Sequence, residues 1–304
     1  MKELRRLKSI TEFHRVRGLQ PPEHPLISVV DYAALKLHPD TNNINWVLDF
    51  YSISLKRNLV VKFKYGQQEY DFDEGVMFFI APGQVFSIEV PPDGNQERTG
   101  WMLLIHPDFF HGTHLATVIK QYAFFGYAIN EALFLSEKEE TTIIHIIDDI
   151  RQEYHANIDK FSQPIITAHI EALLNYADRF YHRQFITRKI SNHQILEKLE
   201  QLLDNCFDDG NLITSGIPSV QFVSEKLNIS PNYLSSLLKT LTGQSTQQHI
   251  QSKLIEVAKE KLSTTRLTVN EIAYELGFEH PQSFRKFFKS HTEMSPLEFR
   301  QSIS

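Results

Sequence analysis

The C-terminal third of this chain repeats itself. Val220, Val223, Leu227 and Ile229 recur 49 positions later as Val269, Ile272, Leu276 and Phe278. Leu234, Leu237, Leu238, Lys239 and Ser245 recur 50 positions later as Phe284, Phe287, Phe288, Lys289 and Ser295. The offset grows by one between the two groups, so the second copy carries one extra residue in its turn, where a length change costs little. Each copy has the pattern of a short helix, a turn and a second helix. In the first copy the turn is Leu227-Asn228-Ile229-Ser230, with Ser230 a good N-cap and Pro231 suited to the first helical position. In the second it runs from Leu276 to Pro281, with Gly277 free to take the positive φ that stops a helix. Ile229 and Phe278 supply an apolar plug between the helices.

Two helices joined in this way form a helix-turn-helix, whose second helix is able to enter the DNA major groove. The helical period says which residues would face outward. Burying Leu234, Leu237 and Leu238 turns Asn232, Ser235, Ser236 and Lys239 outward in the first copy. Burying Phe284, Phe287 and Phe288 does the same for Gln282, Arg285, Lys286 and Lys289 in the second. Asn and Gln amides match adenine, the Arg fork matches guanine, and Lys meets phosphate or guanine. Either face alone is compatible with an ordinary solvated surface; the repeat is what favours DNA. The units span residues 219–243 and 268–293, within a C-terminal domain set at 191–304. Between them an amphipathic run from about Ser245 carries Ile250, Leu254, Val257, Ala258 and Leu262, with Lys253, Lys259, Lys261 and Arg266. Such a helix would be about 25 Å long at ~1.5 Å per residue, enough to set two recognition helices toward successive groove entries.

The first part of the chain has a different texture. From Ile27 to Ile105 short apolar or alternating runs (ISVVDYAAL, LVVKFKY, GVMFFIAP, GWMLLIH) are separated by turn clusters such as PPDGNQ, the pattern of a small sandwich or barrel. Ala81-Pro82-Gly83-Gln84 fits a tight connection between two strands. After His106 the period changes. Ser136 and Glu139 have capping-box spacing ahead of Ile143, Ile146, Ile147 and Ile150. A second helix starts at Ser162 with Pro164 in its first turn and carries Ile166, Ile170, Leu173, Leu174, Ala177 and Tyr181 on one face. The two helices fit a hairpin that covers the β-domain, and the longer one, around 162–185, is equally suited to pairing with a second copy of the chain. The expected layout is therefore an N-terminal arm (1–24), a β-domain (25–105), a helical region (106–190) and the repeat domain. An amphipathic segment (Ile195, Leu196, Leu199, Leu202, Leu203) and a turn-rich linker, DDGNLITSGIPS, precede the repeat.

Composition narrows the partners. The formal net charge is -6, which argues against a protein coated with nucleic acid but leaves room for a local basic face. The single cysteine, Cys206, excludes an intramolecular disulfide and fits an inert thiol in a reducing compartment. The basic N-terminus lacks the apolar run of a signal peptide and no window reaches the length of a membrane span, so a cytoplasmic protein with no membrane partner is expected.

The spacing Ile272-Ala273, Gly277-Phe278, Phe284, Phe288-Lys289, Ser295-Pro296 and Phe299-Arg300, together with SPNYLSSLLKTLTGQS in the first copy, resembles the DNA-binding domain of AraC/XylS-type transcriptional regulators over about Gln194 to Ile303. That resemblance implies an α+β chain: an N-terminal cupin-like β-barrel with a helical hairpin, followed by an all-α domain of two helix-turn-helix units. It also implies a promoter-binding regulator, more often an activator, that is commonly dimeric through the longer helix. Contact with RNA polymerase and a small-molecule effector in the cupin-like domain are among the partners it implies. Two departures stand out. Glu293 occupies the position equivalent to Gly243, where a left-handed C-cap costs a non-glycine residue about 1 kcal/mol, so the turn there is expected to close differently. The first recognition helix is also neutral where some relatives have arginine.

Enzyme chemistry finds little support. There is no phosphate-binding glycine loop, no dinucleotide turn, no GxSxG and no CxxC. Metal-using cupins need converging His and carboxylate ligands; the nearest cluster is His106, His111 and His114, at the end of the strands, where surface or capping roles are the alternative. No cofactor and no metal are expected. Phe78, Phe79, Phe86 and Trp101 are candidates for an effector pocket, against the simpler role of core packing. The rival functions are a cupin-type small-molecule sensor, or a metal-dependent cupin enzyme, with a vestigial DNA-binding domain.

Overall fold

The computed structural model describes residues 3–36, 44–57, 75–87, 99–128, 131–156, 159–187, 189–207 and 211–303. The chain divides into two compact units, Met1–Thr187 and Arg188–Ser304.

The first unit is mixed α and β. Strand β1 (Glu3–Leu7) and helix α1 (Ile10–Val16) precede β2 (Ile27–Asp31), β3 (Ile44–Leu48), β4 (Tyr51–Arg57), β5 (Val76–Ile80), β6 (Val85–Ser87) and β7 (Thr99–Ile105). The residues expected as an arm are thus part of the fold. β1 runs parallel to β3, and Leu7, Ile10 and Phe13 are buried, because apolar residues at helical spacing seat α1 on the core. The strands form a three-stranded sheet, β1-β3-β6, and, with a short β8 (Leu133–Phe134), a five-stranded sheet, β2-β7-β4-β5-β8. Among the described residues the two sheets do not close into a barrel. LVVKFKY and PPDGNQ lie outside the described residues.

The turn at Ala81–Gln84 does join two strands, but they belong to different sheets: β5 pairs with β4 and β6 with β3. The turn is held by Gly83 N–H donating to Leu48 O at 2.7 Å and Ala81 N–H donating to the Gln84 side chain at 3.1 Å. Beyond β7 come a short 3-10 turn at Pro107–Phe110, helix α2 (Leu115–Val118) and strand β8 (Leu133–Phe134). His106 is the cap of that turn, its Nδ1 accepting from Asp108 N–H at 3.3 Å.

Helices α3 (Glu137–Tyr154) and α4 (Ser162–Thr187) pack against each other as the expected hairpin. The Ser136/Glu139 capping box is present, and the predicted stripes of isoleucine and leucine are buried. One residue ties α3 to the sheet. Glu140, 7% exposed, accepts from Gly75 N–H at 2.9 Å and pairs with Arg57 at the end of β4. A buried carboxylate with both partners in place is stable, whereas removing it strands a buried N–H. Glu140→Ala should lower the stability of this unit by about 2 kcal/mol, with Glu140→Gln losing less, because the amide oxygen still accepts from Gly75. Urea unfolding followed by circular dichroism checks this.

The second unit is helical throughout: α5 (Lys189–Phe207), α6 (Asn211–Ser215), α7 (Val220–Leu227), α8 (Pro231–Thr242), α9 (Thr246–Thr264), α10 (Val269–Glu275), α11 (Pro281–Thr292) and α12 (Pro296–Ile303). Part of the expected linker is helix α6, with Leu212 buried; 208–210 lie outside the described residues. Ile195, Leu199 and Leu203 make α5 part of this unit's core. No helix among the described residues is long and apolar enough to cross a membrane.

Candidate nucleic-acid interface

The two repeat copies share one turn geometry. In the first, Asn228 is left-handed (φ 55°), its N–H donating to Glu225 O, while Ile229 N–H reaches back to Ser224 O at 3.0 Å. In the second, Gly277 is left-handed (φ 78°), its N–H donating to Tyr274 O, and Phe278 N–H reaches Ala273 O at 3.0 Å. These are two Schellman caps at equivalent positions, one closed by glycine and one by asparagine, the side chain that best tolerates αL after glycine. Asn228 was not marked by the sequence reasoning, although its alignment with Gly277 is the signal that finds it.

The recognition helices α8 and α11 are both 12 residues long and both begin with proline. Ser230 caps α8, accepting from Tyr233 N–H at 3.3 Å. α11 follows the extra residue, and its cap His280 makes no side-chain bond to the helix.

At the other end, Glu293 takes φ 63°, ψ -5°, against φ 77°, ψ -2° at Gly243. Glu293 N–H donates to Lys289 O at 2.9 Å, as Gly243 N–H does to Lys239 O at 3.0 Å. The turn therefore closes as glycine would close it, correcting the expectation of a different turn: the hydrogen bond holds the backbone in place despite the Cβ. Glu293→Gly should then stabilise this unit by about 1 kcal/mol, read from chemical denaturation; an unchanged midpoint would mean that the side chain makes good the strain.

Behind α11 the aromatic residues form a continuous stack. Phe284 packs on Phe278 at 5.4 Å and on Phe288 at 5.8 Å, and Phe288 meets Phe299 edge-on at 5.6 Å. Arg300 donates from Nε to Leu262 O at 3.1 Å and from a terminal nitrogen to Leu267 O at 2.7 Å, tying α12 to the end of α9. The spaced aromatic residues and Arg300 of this segment are thus mostly the scaffold of the second unit. Phe287 is only half-buried, lying between Phe278 at 5.7 Å and His291 at 4.4 Å, because its position on the helix falls at the edge of the apolar stripe.

The outward faces differ between the copies. On α11, Gln282, Arg285, Lys286 and Lys289 are all exposed. Arg285 donates to Asn270 Oδ1 at 2.9 Å, which fixes one end of the guanidinium fork and leaves the other N–H groups outward. On α8, Asn232 and Lys239 are exposed, but Ser235 and Ser236 are half-buried. Ser235 Oγ lies 3.1 Å from Thr246 Oγ1, and Thr246 is fully buried at the start of α9. Ser235 therefore serves the α8–α9 junction, a correction to its placement on the open face.

The cations of α9 are held within the domain. Lys253 bonds Asp204 at 2.7 Å, and chiefly that hydrogen bond raises its pKa. Lys261 bonds Glu275 at 3.0 Å, and Lys259 lies 5.8 Å from the Phe299 ring centre. Cys206 has Lys226 near it in space, but burial dominates and pushes the thiol up, the opposite of a reactive thiolate.

The four aromatic candidates in the first unit do not line one space. Phe79 packs on Phe124, Phe125 and Tyr181, while its neighbour Phe78 points to the other face of β5, in a buried cluster with Val76 and Ala132 against which the half-buried Phe134 packs. Phe86 packs on a third group that includes Trp46 and Leu48. Trp101 is buried in the β7 ladder opposite Leu55. No group of three or more His, Cys, Asp or Glu among the described residues is placed to hold a metal.

Comparison with known proteins agrees with the second unit. Residues 223–302 match the helix-turn-helix domain family. The chain is 38% identical over 77 residues to the raffinose operon transcriptional regulatory protein RafR of Pediococcus pentosaceus, covering 25% of this chain and 28% of that protein. It is 25% identical over 114 residues to the regulatory protein SoxS of Salmonella typhimurium, covering 38% of this chain and all of that protein. A solved structure, the C-terminal domain of the two-component response regulator yesN from Fusobacterium nucleatum, is 31% identical and covers 34% of this chain and 95% of that one, with a TM-score of 0.30. The chain spans about a quarter of the length of the first curated relatives it matches.

The paired units, their shared turn geometry and these relatives define a DNA-binding helix-turn-helix domain. That domain is similar to those of the AraC/XylS-type regulators.

Proposed function

We propose that this protein binds double-stranded promoter DNA with both recognition helices of each chain and regulates transcription, as an activator. The observation that carries the proposal is the exposed row Gln282, Arg285, Lys286 and Lys289 on a helix seated from behind by Phe284 and Phe288. Arg285, oriented by Asn270, suits a guanine edge; Gln282 suits adenine; Lys286 and Lys289 suit phosphates or guanine. On α8, Asn232 and Lys239 carry most of the contact, with Ser236 beside them and Ser235 acting through the helix junction. The relatives' names support a regulator of this kind.

The first unit is assigned the regulatory role: a cupin-like domain that responds to a small molecule, with Phe79 and Trp101 as packing residues rather than ligand contacts. Homodimerisation is assigned to α4, around 162–185. Its outer side carries Ile165, Tyr176 and Ile186, with Phe161 just before the helix, each more than a third exposed, and a second copy would cover them. Such a protein would act in the cytoplasm, beside RNA polymerase, and would not be an enzyme.

Two measurements test these assignments. Arg285→Ala with Lys286→Ala should abolish the shift of a specific promoter fragment, and Lys289→Ala alone should reduce the slope of log affinity against log salt by about 0.9 if the lysine neutralises a phosphate. Retention of full specific binding by the double variant would refute the interface. Ile165→Glu with Tyr176→Glu should convert dimer to monomer in sedimentation, at unchanged circular dichroism.

A further inference from the structure

The first twenty residues are basic in an acidic chain. They hold six of its 31 Lys and Arg but two of its 37 Asp and Glu, a balance of +4 where the remaining residues carry -10. The second unit, Arg188–Ser304, has 13 of each and so no net charge. A DNA-binding unit without net charge gathers DNA weakly from a distance. The basic segment lies in the first unit, and its fold there leaves most of that charge outward.

Helix α1 decides where the charge stands. Ile10, Phe13, His14 and, just beyond the helix, Arg17 form its buried stripe. That turns Lys8, Thr11, Arg15 and Gly18, at i, i+3, i+7 and i+10, to solvent. Lys8 and Arg15 then stand roughly 10 Å apart along the stripe at ~1.5 Å per residue. Lys36 joins them from the segment after β2: its N–H donates to Arg17 O at 3.0 Å, and its aliphatic stem crosses Gly18, where a Cβ would come within 2.6 Å of Lys36 Cδ. On the β1 side Arg5 lies 5.6 Å from the ring centre of Trp46. The nearby acids are engaged. Asp49 bonds Arg6 at 2.7 Å, Glu12 accepts from Lys8 N–H at 2.9 Å and Asp31 from Ala33 N–H at 2.9 Å; Glu3, at the start of β1, is an exposed exception. Arg5, Lys8, Arg15 and Lys36 are all exposed, and among the described residues none of the four forms an ion pair.

We propose that this side of α1 is a further DNA contact, in which Arg5, Lys8, Arg15 and Lys36 neutralise phosphates of the duplex that the second unit holds, adding affinity without reading sequence. The inference rests on the reading of the second unit as the promoter-binding one. Four unpaired cations spread along the outside of a helix suit a row of phosphates better than one small anion. Both units belong to one chain, so DNA bound by the second stands at high effective concentration for the first, and contacts too weak to hold DNA alone then add to the whole.

The test uses the full chain and fluorescent duplexes, one carrying a site that the protein selects from random DNA and one of scrambled sequence. Lys8→Gln, Arg15→Gln and Lys36→Gln together should lower the slope of log affinity against log salt by about 2.7, at ~0.9 for each of three phosphates, and weaken binding at ~0.1 M salt at least about tenfold. Both duplexes should weaken alike, so that the preference for the selected site is kept. The charge-preserving set Lys8→Arg, Arg15→Lys and Lys36→Arg should hold the wild-type slope. An unchanged slope in the glutamine set, or an equal fall in the charge-preserving set, would overturn the proposal. If the glutamine set fails to fold, Thr11→p-benzoylphenylalanine decides on irradiation: crosslinks to the duplex support the contact, while crosslinks confined to protein, or none, refute it. Arg285→Ala with Lys286→Ala keeps the two readings apart. Loss of site preference there, with an unchanged slope in the glutamine set, sinks only the α1 contact; site preference that survives there, with a lowered slope in the glutamine set, sinks the α11 row and leaves the α1 contact standing.

Discussion

The geometry of the DNA-binding unit depends on two residues with left-handed backbones. Asn228 and Gly277 each let a helix stop within one residue and send the chain back across its own end, so that Ile229 and Phe278 drop into the angle between helices. Without the αL step the first helix would continue, and the apolar plug would point at solvent. Everything the recognition helices present follows from that angle. The aromatic stack from Phe278 through Phe284 and Phe288 to Phe299 then fixes the rotation of α11 about its axis, which decides that Arg285 rather than a phenylalanine faces outward.

Much of this was legible in the sequence because it is local. Caps, helical spacing and a repeated apolar pattern are properties of ten or twenty neighbouring residues, and Ser230, Pro231, Gly277 and the Ser136/Glu139 box sit where spacing alone places them. What was not legible depends on pairing between distant segments. Nothing near β6 in the chain says that it leaves β5 for β3, nor does residue composition reveal that the first residues of the chain add a strand beside β3. The same limit explains Ser235. Its helical position turns it outward, and only the arrival of Thr246 beneath α8 turns its hydroxyl to structural use. The four aromatic candidates of the first unit were grouped by residue type, whereas alternation along β5 sends Phe78 and Phe79 to opposite faces.

Charge is distributed by the same logic of local need. Between Gly216 and Ser304 there are ten Lys plus Arg against eight Asp plus Glu, so this stretch as a whole would attract DNA only weakly. Several of those charges are also spent inside the protein: Lys253 on Asp204, Lys261 on Glu275 and Arg300 on backbone carbonyls. The acids likewise serve as caps, Glu271 for α10 and Glu298 for α12, each held below the usual carboxylate range chiefly by the backbone N–H it accepts. Removing the internally paired groups leaves the outward row of α11 as a concentrated cationic feature on an otherwise balanced surface.

That concentration makes the two recognition helices unequal partners in the proposed complex. α11 offers three cations and a glutamine, while α8 offers Asn232, Lys239 and a half-buried serine. Backbone attraction, which scales with the phosphates neutralised, would therefore come mainly from α11. Helix α8 would contribute base contacts that neutral groups and bridging water can make. An unequal pair also fixes orientation, since reversing the chain on its site would set the weakly charged helix where the strongly charged one belongs. Orientation matters to an activator, which has to present the same surface to the transcription machinery at every site. In the proposed complex the thin overall charge would have a use: specificity and direction would come from where the exposed cations of α11 stand, and holding the site would fall to the combination of two helices and, in the proposed dimer, two chains.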